Sequence, residues 1–390
     1  MMARWGTLIL AAGRGTRMNS DVPKVLHPLC GLPLICHVFN AVKTYRSSSN
    51  IVIVPPDHRE IRNLLGDQVT FVVQNPAKGT GSAVALAEQD LKEKVDYLLV
   101  INADLPLILP DTLRRLGETF LTSGASVALI TTTSEQPKGL GVIRRNTNGE
   151  ITDVVEATES DESIYQQETF ETNVGAYCFK TSWLWKELPN LEVGPTGETY
   201  LTKLIAVASR QAAGVADIQV SHSWEAIGIN TRVDLANAEL TLRHRIREDW
   251  MLKGVTMMDP STTYIDAQVS LDRDVQIWPN TFVLGDTKIG ENSQIGPNAV
   301  IRNSIVGAQC QINAASLEES TLEDSVKIGP YAHLREHAHI EKGTYIGNFA
   351  EVKNSHLGSD VKMGHFSYVG DATVGTGTNI GAGVITCNYD

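Results

Sequence analysis

The chain has 390 residues, 42% of them apolar, and a formal charge of −12 at pH 7. That length allows two or more domains with a sizeable core, and the acidic balance argues against general nucleic-acid binding. No apolar run reaches transmembrane length, so no membrane partner is expected. The N-terminus also lacks the charged segment, apolar stretch and cleavage site of a secretory signal. Five widely spaced cysteines without a CxxC pair point to neither a disulfide frame nor a zinc site, and fit a cytoplasmic location.

The first predicted element is a buried parallel strand, Trp5 to Leu10. It breaks into Ala11-Ala12-Gly13-Arg14-Gly15-Thr16-Arg17. Small residues let backbone approach a ligand closely, and successive N–H groups can form an anion-binding nest. Arg17 and Lys24 add two cations to this loop. Further strands are predicted at Ile51–Val54, Thr70–Val73, Tyr97–Ile101, Ser126–Thr131, Ile151–Val155 and Asn173–Phe179. Helices are predicted at Leu34–Tyr45, Gly81–Leu91, Pro110–Ser123 and Leu201–Ala208. Such alternation implies an α/β, largely parallel sheet whose ligands bind beyond the carboxyl ends of strands. Both the glycine loop and Asn102-Ala103-Asp104 fall at such ends. Asp104 could alternatively cap the helix that follows, and Asn230 the long one after it.

Residues 231–254 contain no proline, and their only glycine is the last residue, which predicts a connecting helix. From Ile265 the pattern changes. Ile265, Leu271, Ile277, Val283, Ile289, Ile295 and Ile301 recur every six residues. The phase resumes at Ile328, Leu334, Ile340, Ile346 and Val352. Four residues after most of these stands a small or β-branched residue, such as Val275, Thr281 or Ala299. A six-residue period fits neither a helix nor a simple strand. It fits a parallel β-helix of about 21 hexads, roughly seven triangular coils. The expected division is therefore 1–230, a connecting helix at 231–254, and a β-helix over 255–390.

The string LAAGRGTRM followed by PK resembles the signature of sugar-nucleotide pyrophosphorylases. Joined to hexapeptide repeats, it is similar to two families. One makes ADP-glucose; the other is the bacterial bifunctional N-acetylglucosamine-1-phosphate uridylyltransferase/glucosamine-1-phosphate acetyltransferase. The repeat half favours the second, through LREHAHIEKG at 334–343, IGNFAEVKNSHLG at 346–358, MGHFSYVGDA at 363–372 and NIGAGVITCNYD at 379–390. The resemblance implies a Rossmann-like nucleotidyltransferase domain, a helical arm and a left-handed β-helix that assembles as a homotrimer.

It also implies site residues. Leu10, Ala11, Ala12 and Gly13 would hold the uracil and ribose side of UTP, with Gln74, Gly79 and Thr80 reading the base. Arg17 and Lys24 would meet the triphosphate. Gly141, Glu156 and Asn173 would hold N-acetylglucosamine-1-phosphate, and Asp104 with Asn230 would bind Mg²⁺. Asn102 and Ala103 would line the substrate, although the family usually has glycine at the second position. The nucleophile is an ionised phosphate oxygen, so the task is alignment and charge neutralisation rather than base catalysis. For the second activity, His365 would be the base that takes the proton from glucosamine-1-phosphate. Arg335, Lys353, Tyr368 and Asn379 would bind that sugar phosphate, and Ala382, Asn388 and Tyr389 would contact acetyl-CoA. Residue 390 falls inside the last motif, and family members continue with further coils, so weak acetyltransferase activity is expected of these 390 residues. Two other readings are a pyrophosphorylase for glucose- or mannose-1-phosphate and a non-catalytic assembly subunit of the same architecture. The subunit reading sits poorly with Arg17, Lys24 and Asp104 all being present.

Overall fold

The computed structural model describes residues 3–45, 47–135, 139–156, 168–194 and 197–388. They form two compact units. The first comprises Met1–Leu29 and Pro33–Ala238; the second comprises Cys30–Leu32 and Glu239–Asp390. The long helix runs from Arg232 to Leu252, and the division falls within it.

The first unit is built on a nine-stranded sheet. Its main path runs Val215–Gln219, Val127–Ser134, Phe170–Lys180, Tyr97–Asn102, Trp5–Leu10, Ser49–Val54, Thr70–Val73. Trp5–Leu10 lies at the centre of the parallel part, pairing with Ser49–Val54 on one side and Tyr97–Asn102 on the other. Its inner residues are buried on both faces, which explains the continuous apolar run. Phe170–Lys180 is antiparallel to both of its neighbours. An antiparallel pair, Val142–Arg145 with Ile151–Val155, attaches to it at Thr172. The central strands end at Leu10 and Asn102, so the glycine loop and Asp104 leave the sheet side by side. Two backbone bonds fix this exit: Ala11 N–H donates to Ile53 O (2.8 Å), and Ala103 N–H to Leu10 O (3.0 Å).

Within the second unit the six-residue period becomes three parallel sheets of eight, seven and seven short strands. Each interior residue stacks on its equivalent one coil away. One such column is Ile277, Ile295, Ile312, Ile328, Ile346, Met363 and Ile380. The small residues form a second kind of column at the corners, where Val275, Thr281, Thr287, Ser293 and Ala299 are fully buried. Buried hydroxyls there bond to backbone: Ser293 Oγ donates to Gly307 O (2.9 Å) and accepts from Cys310 N–H (3.0 Å). Corners also demand left-handed backbone, and Asn280, Asn292 and Asn298 supply it at φ 57–60°. This is the left-handed β-helix that the hexads predict.

The short turn Cys30–Leu32 belongs to this second unit. Cys30 N–H donates to Glu239 Oε2 (2.7 Å) and Cys30 O accepts from Ala267 N–H (2.9 Å). Nothing in the sequence pattern predicts that assignment. Among the described residues all five cysteines are free, and no helix is long and apolar enough to cross a membrane.

Removing a column member should be costly. Leu334, fully buried, stacks between Leu317 and Val352. Leu334→Ala should lower the unfolding free energy of the β-helix unit by about 2–5 kcal/mol, read as a lower denaturant midpoint.

Candidate functional site

The exits of the two central strands open into a cavity of about 710 Å³. Leu10, Ala11, Ala12, Gly13, Arg17, Lys24, Gln74, Gly79, Thr80, Asn102 and Asp104 line it, all of them singled out from the sequence. Ala103 does not: it is 1% exposed and packs in the core with Leu99, Ile101 and Leu105. Strand alternation sends its methyl inward while Asn102 and Asp104 face the cavity. The departure from glycine at this position therefore costs no space in the site.

Two glycines are required by geometry. Gly15 has φ +60°, and a Cβ there would lie 2.5 Å from Lys24 Cβ. Gly79 has φ +91°, and a Cβ would lie 2.5 Å from Thr199 O. The second contact exposes a partner that sequence reasoning missed. Residues 198–201 lie along the Lys78–Gly81 loop: Thr199 N–H donates to Lys78 O (2.9 Å), Gly81 N–H to Thr199 O (2.8 Å), and Leu201 N–H to Thr80 Oγ1 (2.9 Å). Glu198 and Tyr200 consequently join the cavity wall. Buried Gln74 closes the same corner by donating from Nε2 to Gly79 O (3.1 Å).

The cations meet the predicted metal ligands directly. Lys24 Nζ donates to Asp104 Oδ2 (2.6 Å) and to Asn230 Oδ1 (3.2 Å), and Arg17 Nη2 donates to the same Asn230 oxygen (2.9 Å). Because both partners can only donate, the atom facing them must be the amide oxygen. The two helix-cap alternatives fail here. The Pro110–Ser123 helix begins after Leu109 without a side-chain cap. The long helix is capped by Thr231 and Asp234, whose side chains bond each other's N–H groups at 2.8 and 3.1 Å. Asn230 is thus free to turn its oxygen towards Lys24 and Arg17.

Gly141, Glu156 and Asn173 form a cluster of their own. Asn173 N–H donates to Gly141 O (2.8 Å), and a Cβ on Gly141 would sit 3.7 Å from Glu156 Oε2. Glu156 accepts from Thr202 Oγ1, and Asn173 Nδ2 donates to Tyr177 Oη (2.6 Å). The register slips between Asn173 and Tyr177, where Gly175, at φ +96°, makes room for Asn102. That slip brings this cluster beside the main cavity. Most of the acidic run after Glu156, residues 157–163, lies outside the described residues.

On the β-helix, Arg335 and Lys353 stack in register, and Tyr368 stacks on Glu351, all on one sheet. Glu351 accepts from Arg335 Nε (2.8 Å), and Glu336 pairs with Arg335 and with Lys353 Nζ (3.4 Å). Asn388 Nδ2 reaches Tyr368 Oη (3.4 Å). Asn354 and Asn388 both donate to Asp371 and hold its carboxyl below the usual carboxylate range. Exposed His365 stands between the Lys362–Met363 and Ser367–Gly370 strands, at the corner of two sheets. Ala382 follows Asn379–Ile380, the strand stacked on Lys362–Met363, at the equivalent corner one coil on. Asn379 lies on a different sheet from Arg335, Lys353 and Tyr368. Tyr389 lies outside the described residues.

Residues 7–172 match the MobA-like NTP transferase domain family, and residues 269–303 and 319–354 match the bacterial transferase hexapeptide family. The bifunctional protein GlmU of Streptococcus thermophilus is 38% identical over 98% of this chain and 83% of its own length. That of Trichormus variabilis is 41% identical over 98% of this chain and 84% of its own length. A solved Bacillus anthracis chain assigned as a glucose-1-phosphate thymidylyltransferase superposes with a TM-score of 0.50 at 21% identity, covering 61% of this chain and 94% of that one. It has the same fold as the first unit.

Gly15→Ala should be strained both by its left-handed backbone and by Lys24 Cβ. A stability loss of about 1–3 kcal/mol is expected in denaturant titration.

Proposed function

Because the chain belongs to the bifunctional GlmU family, we infer that its first unit transfers a uridylyl group from UTP to N-acetylglucosamine-1-phosphate, releasing pyrophosphate. The observation that carries this reading is the convergence of Arg17, Lys24, Asp104 and Asn230 at the mouth of a cavity walled by a glycine loop. The sugar-phosphate oxygen attacks the α-phosphorus, and the bond to the β-phosphate oxygen breaks as pyrophosphate leaves. Arg17 and Lys24 neutralise the charge that builds on the leaving group. The backbone of Leu10–Gly13, with Gln74, Gly79 and Thr80, seats the nucleoside. Gly141, Glu156 and Asn173 place the sugar, with Asn102 between the two groups.

The residues present fit a divalent cation. Asp104 and Asn230 offer one carboxylate and one amide oxygen close enough to share the Lys24 ammonium. No cluster of three His, Cys, Asp or Glu capable of holding a metal exists among the described residues. A hard ion with few protein ligands, completed by phosphate oxygens, suits Mg²⁺. When bound, it would supply further neutralisation of phosphate charge.

The β-helix unit is the acetyltransferase half. Arg335 and Lys353 anchor the phosphate of glucosamine-1-phosphate, Tyr368 and Asn379 contact the sugar, and His365 takes the amine proton. Ala382, Asn388 and Tyr389 lie towards acetyl-CoA. Asn379 sits around a corner from Tyr368, so a homotrimer, in which faces of neighbouring copies meet, explains how both serve one site. The location is cytoplasmic, consistent with free cysteines and nucleotide substrates.

The test is a pyrophosphate-release assay with four nucleotides crossed with three sugar phosphates. UTP with N-acetylglucosamine-1-phosphate should be fastest; equal turnover of ATP with glucose-1-phosphate overturns the substrate assignment. Asp104→Asn should cut kcat by about 100-fold or more with an unchanged melting temperature. His365→Ala should reduce CoA release with glucosamine-1-phosphate and leave pyrophosphate release untouched.

A further inference from the structure

Arg17, Lys24 and Asn230 come from three separate turns. Their meeting requires those turns to be held in register. Arg232, the first residue of the long helix, bonds to two of them. Its Nε donates to Met18 O (3.3 Å), and its Nη1 to His27 Nδ1 (3.3 Å). Met18 closes the 3₁₀ turn Thr16–Met18, which carries Arg17. His27 terminates the turn Lys24–Leu26, and its N–H donates to Lys24 O (3.2 Å). One guanidinium is therefore bonded to the turn of each cation. Two residues earlier, Asn230 accepts from both cations themselves.

The state of His27 follows from its partner. Arginine cannot accept a hydrogen bond, so Nδ1 must offer its lone pair and Nε2 must carry the proton. The ring is 4% exposed, and burial together with the Arg232 charge pushes its pKa below the usual histidine value. Nε2 is buried with no hydrogen-bond partner among the described residues. An unpaired buried N–H is destabilising, so an apolar side chain would fill this place better if packing were its whole role. What the imidazole adds is the acceptor that Arg232 uses.

From this juxtaposition we propose that Arg232 is a positioning residue for the transfer reaction: through Met18 O and His27 Nδ1 it sets Arg17 and Lys24 against the phosphates. Arg232 does not itself line the cavity. The proposal rests on the reading of Arg17 and Lys24 as the groups that meet the triphosphate.

The experiment measures steady-state kinetics, UTP affinity by calorimetry and melting temperature on the full chain. The variants are Arg232→Ala, His27→Ala, the double variant, and His27→Asn, whose Oδ1 accepts where Nδ1 did. Arg232→Ala should lower kcat about 10-fold or more, with KM for N-acetylglucosamine-1-phosphate unchanged within about twofold and melting within a few degrees of wild type. Added guanidinium ion should restore part of the lost rate. His27→Asn should stay within about threefold of wild type, and the double variant should be no slower than the slower single variant, because both act through one contact. Wild-type kcat in Arg232→Ala overturns the proposal. So do additive losses in the double variant, or a loss that follows a fallen melting temperature without guanidinium rescue. If wild type binds UTP but turns over none of these substrates, the functional reading fails. UTP affinity then decides the proposal alone: about a 10-fold weakening in Arg232→Ala supports it, and unchanged affinity overturns it.

Discussion

Lys24 keeps only 12% of its side chain in contact with solvent, and an ammonium in such a place must be matched by the protein. The match comes from two distant parts of the chain: the end of a central strand, at Asp104, and the threshold of the long helix, at Asn230. The partial removal of water that makes the pairing necessary also makes it strong. Much else in the first unit serves this meeting. Gly15 is glycine because Lys24 passes beside it. Ile229 N–H donates to Asp104 O (2.9 Å), so backbone as well as side chain ties the helix entry to the strand exit. Thr231 and Asp234 cap the helix between themselves and release Asn230 from that duty.

The second unit obeys a different constraint. Every coil must present one aliphatic residue to the interior on each face and something small at each corner, because the interior is too narrow for two large side chains in one layer. The buried threonines and serines at corner positions are tolerated because each turn leaves backbone groups near enough to receive their hydroxyls. The outward positions are free of that rule. They carry the chemistry, with His333, Glu351 and Tyr368 in one vertical row and Arg335, Lys353 and Gly370 in the next.

Much of this was legible because it leaves periodic or local traces. The hexad spacing marks the β-helix, and the run from Trp5 to Arg17 marks a strand passing into a phosphate-type loop. Where sequence reading fell short, the determinants are non-local. Val215–Gln219 adds to the sheet edge beside Val127–Ser134, yet its VADIQ string has few apolar residues. Glu198 and Tyr200 enter the cavity only because a loop lies against Gly79 and Gly81, a pairing that no periodicity announces. Ala103 looked like a cavity residue because it stands between two; strand alternation turns it away. His27 and Arg232 look like ordinary flanking residues until the fold sets them against each other.

The stacked coils also act as a ruler. Adjacent rungs are separated by the spacing of hydrogen-bonded strands, about 4.8 Å, so the gap between Arg335 and Lys353, one rung apart, is set by counting coils. Change in length is then quantised. Gain or loss of a whole coil preserves the alignment of every column above it. A single-residue change must be absorbed at a corner, as in the five-residue steps from Ile301 to Val306 and from Val352 to Leu357, or it rotates the following side chains out of the interior. Evolution along this unit can therefore move a functional group by one rung at a time, but not by fractions of one.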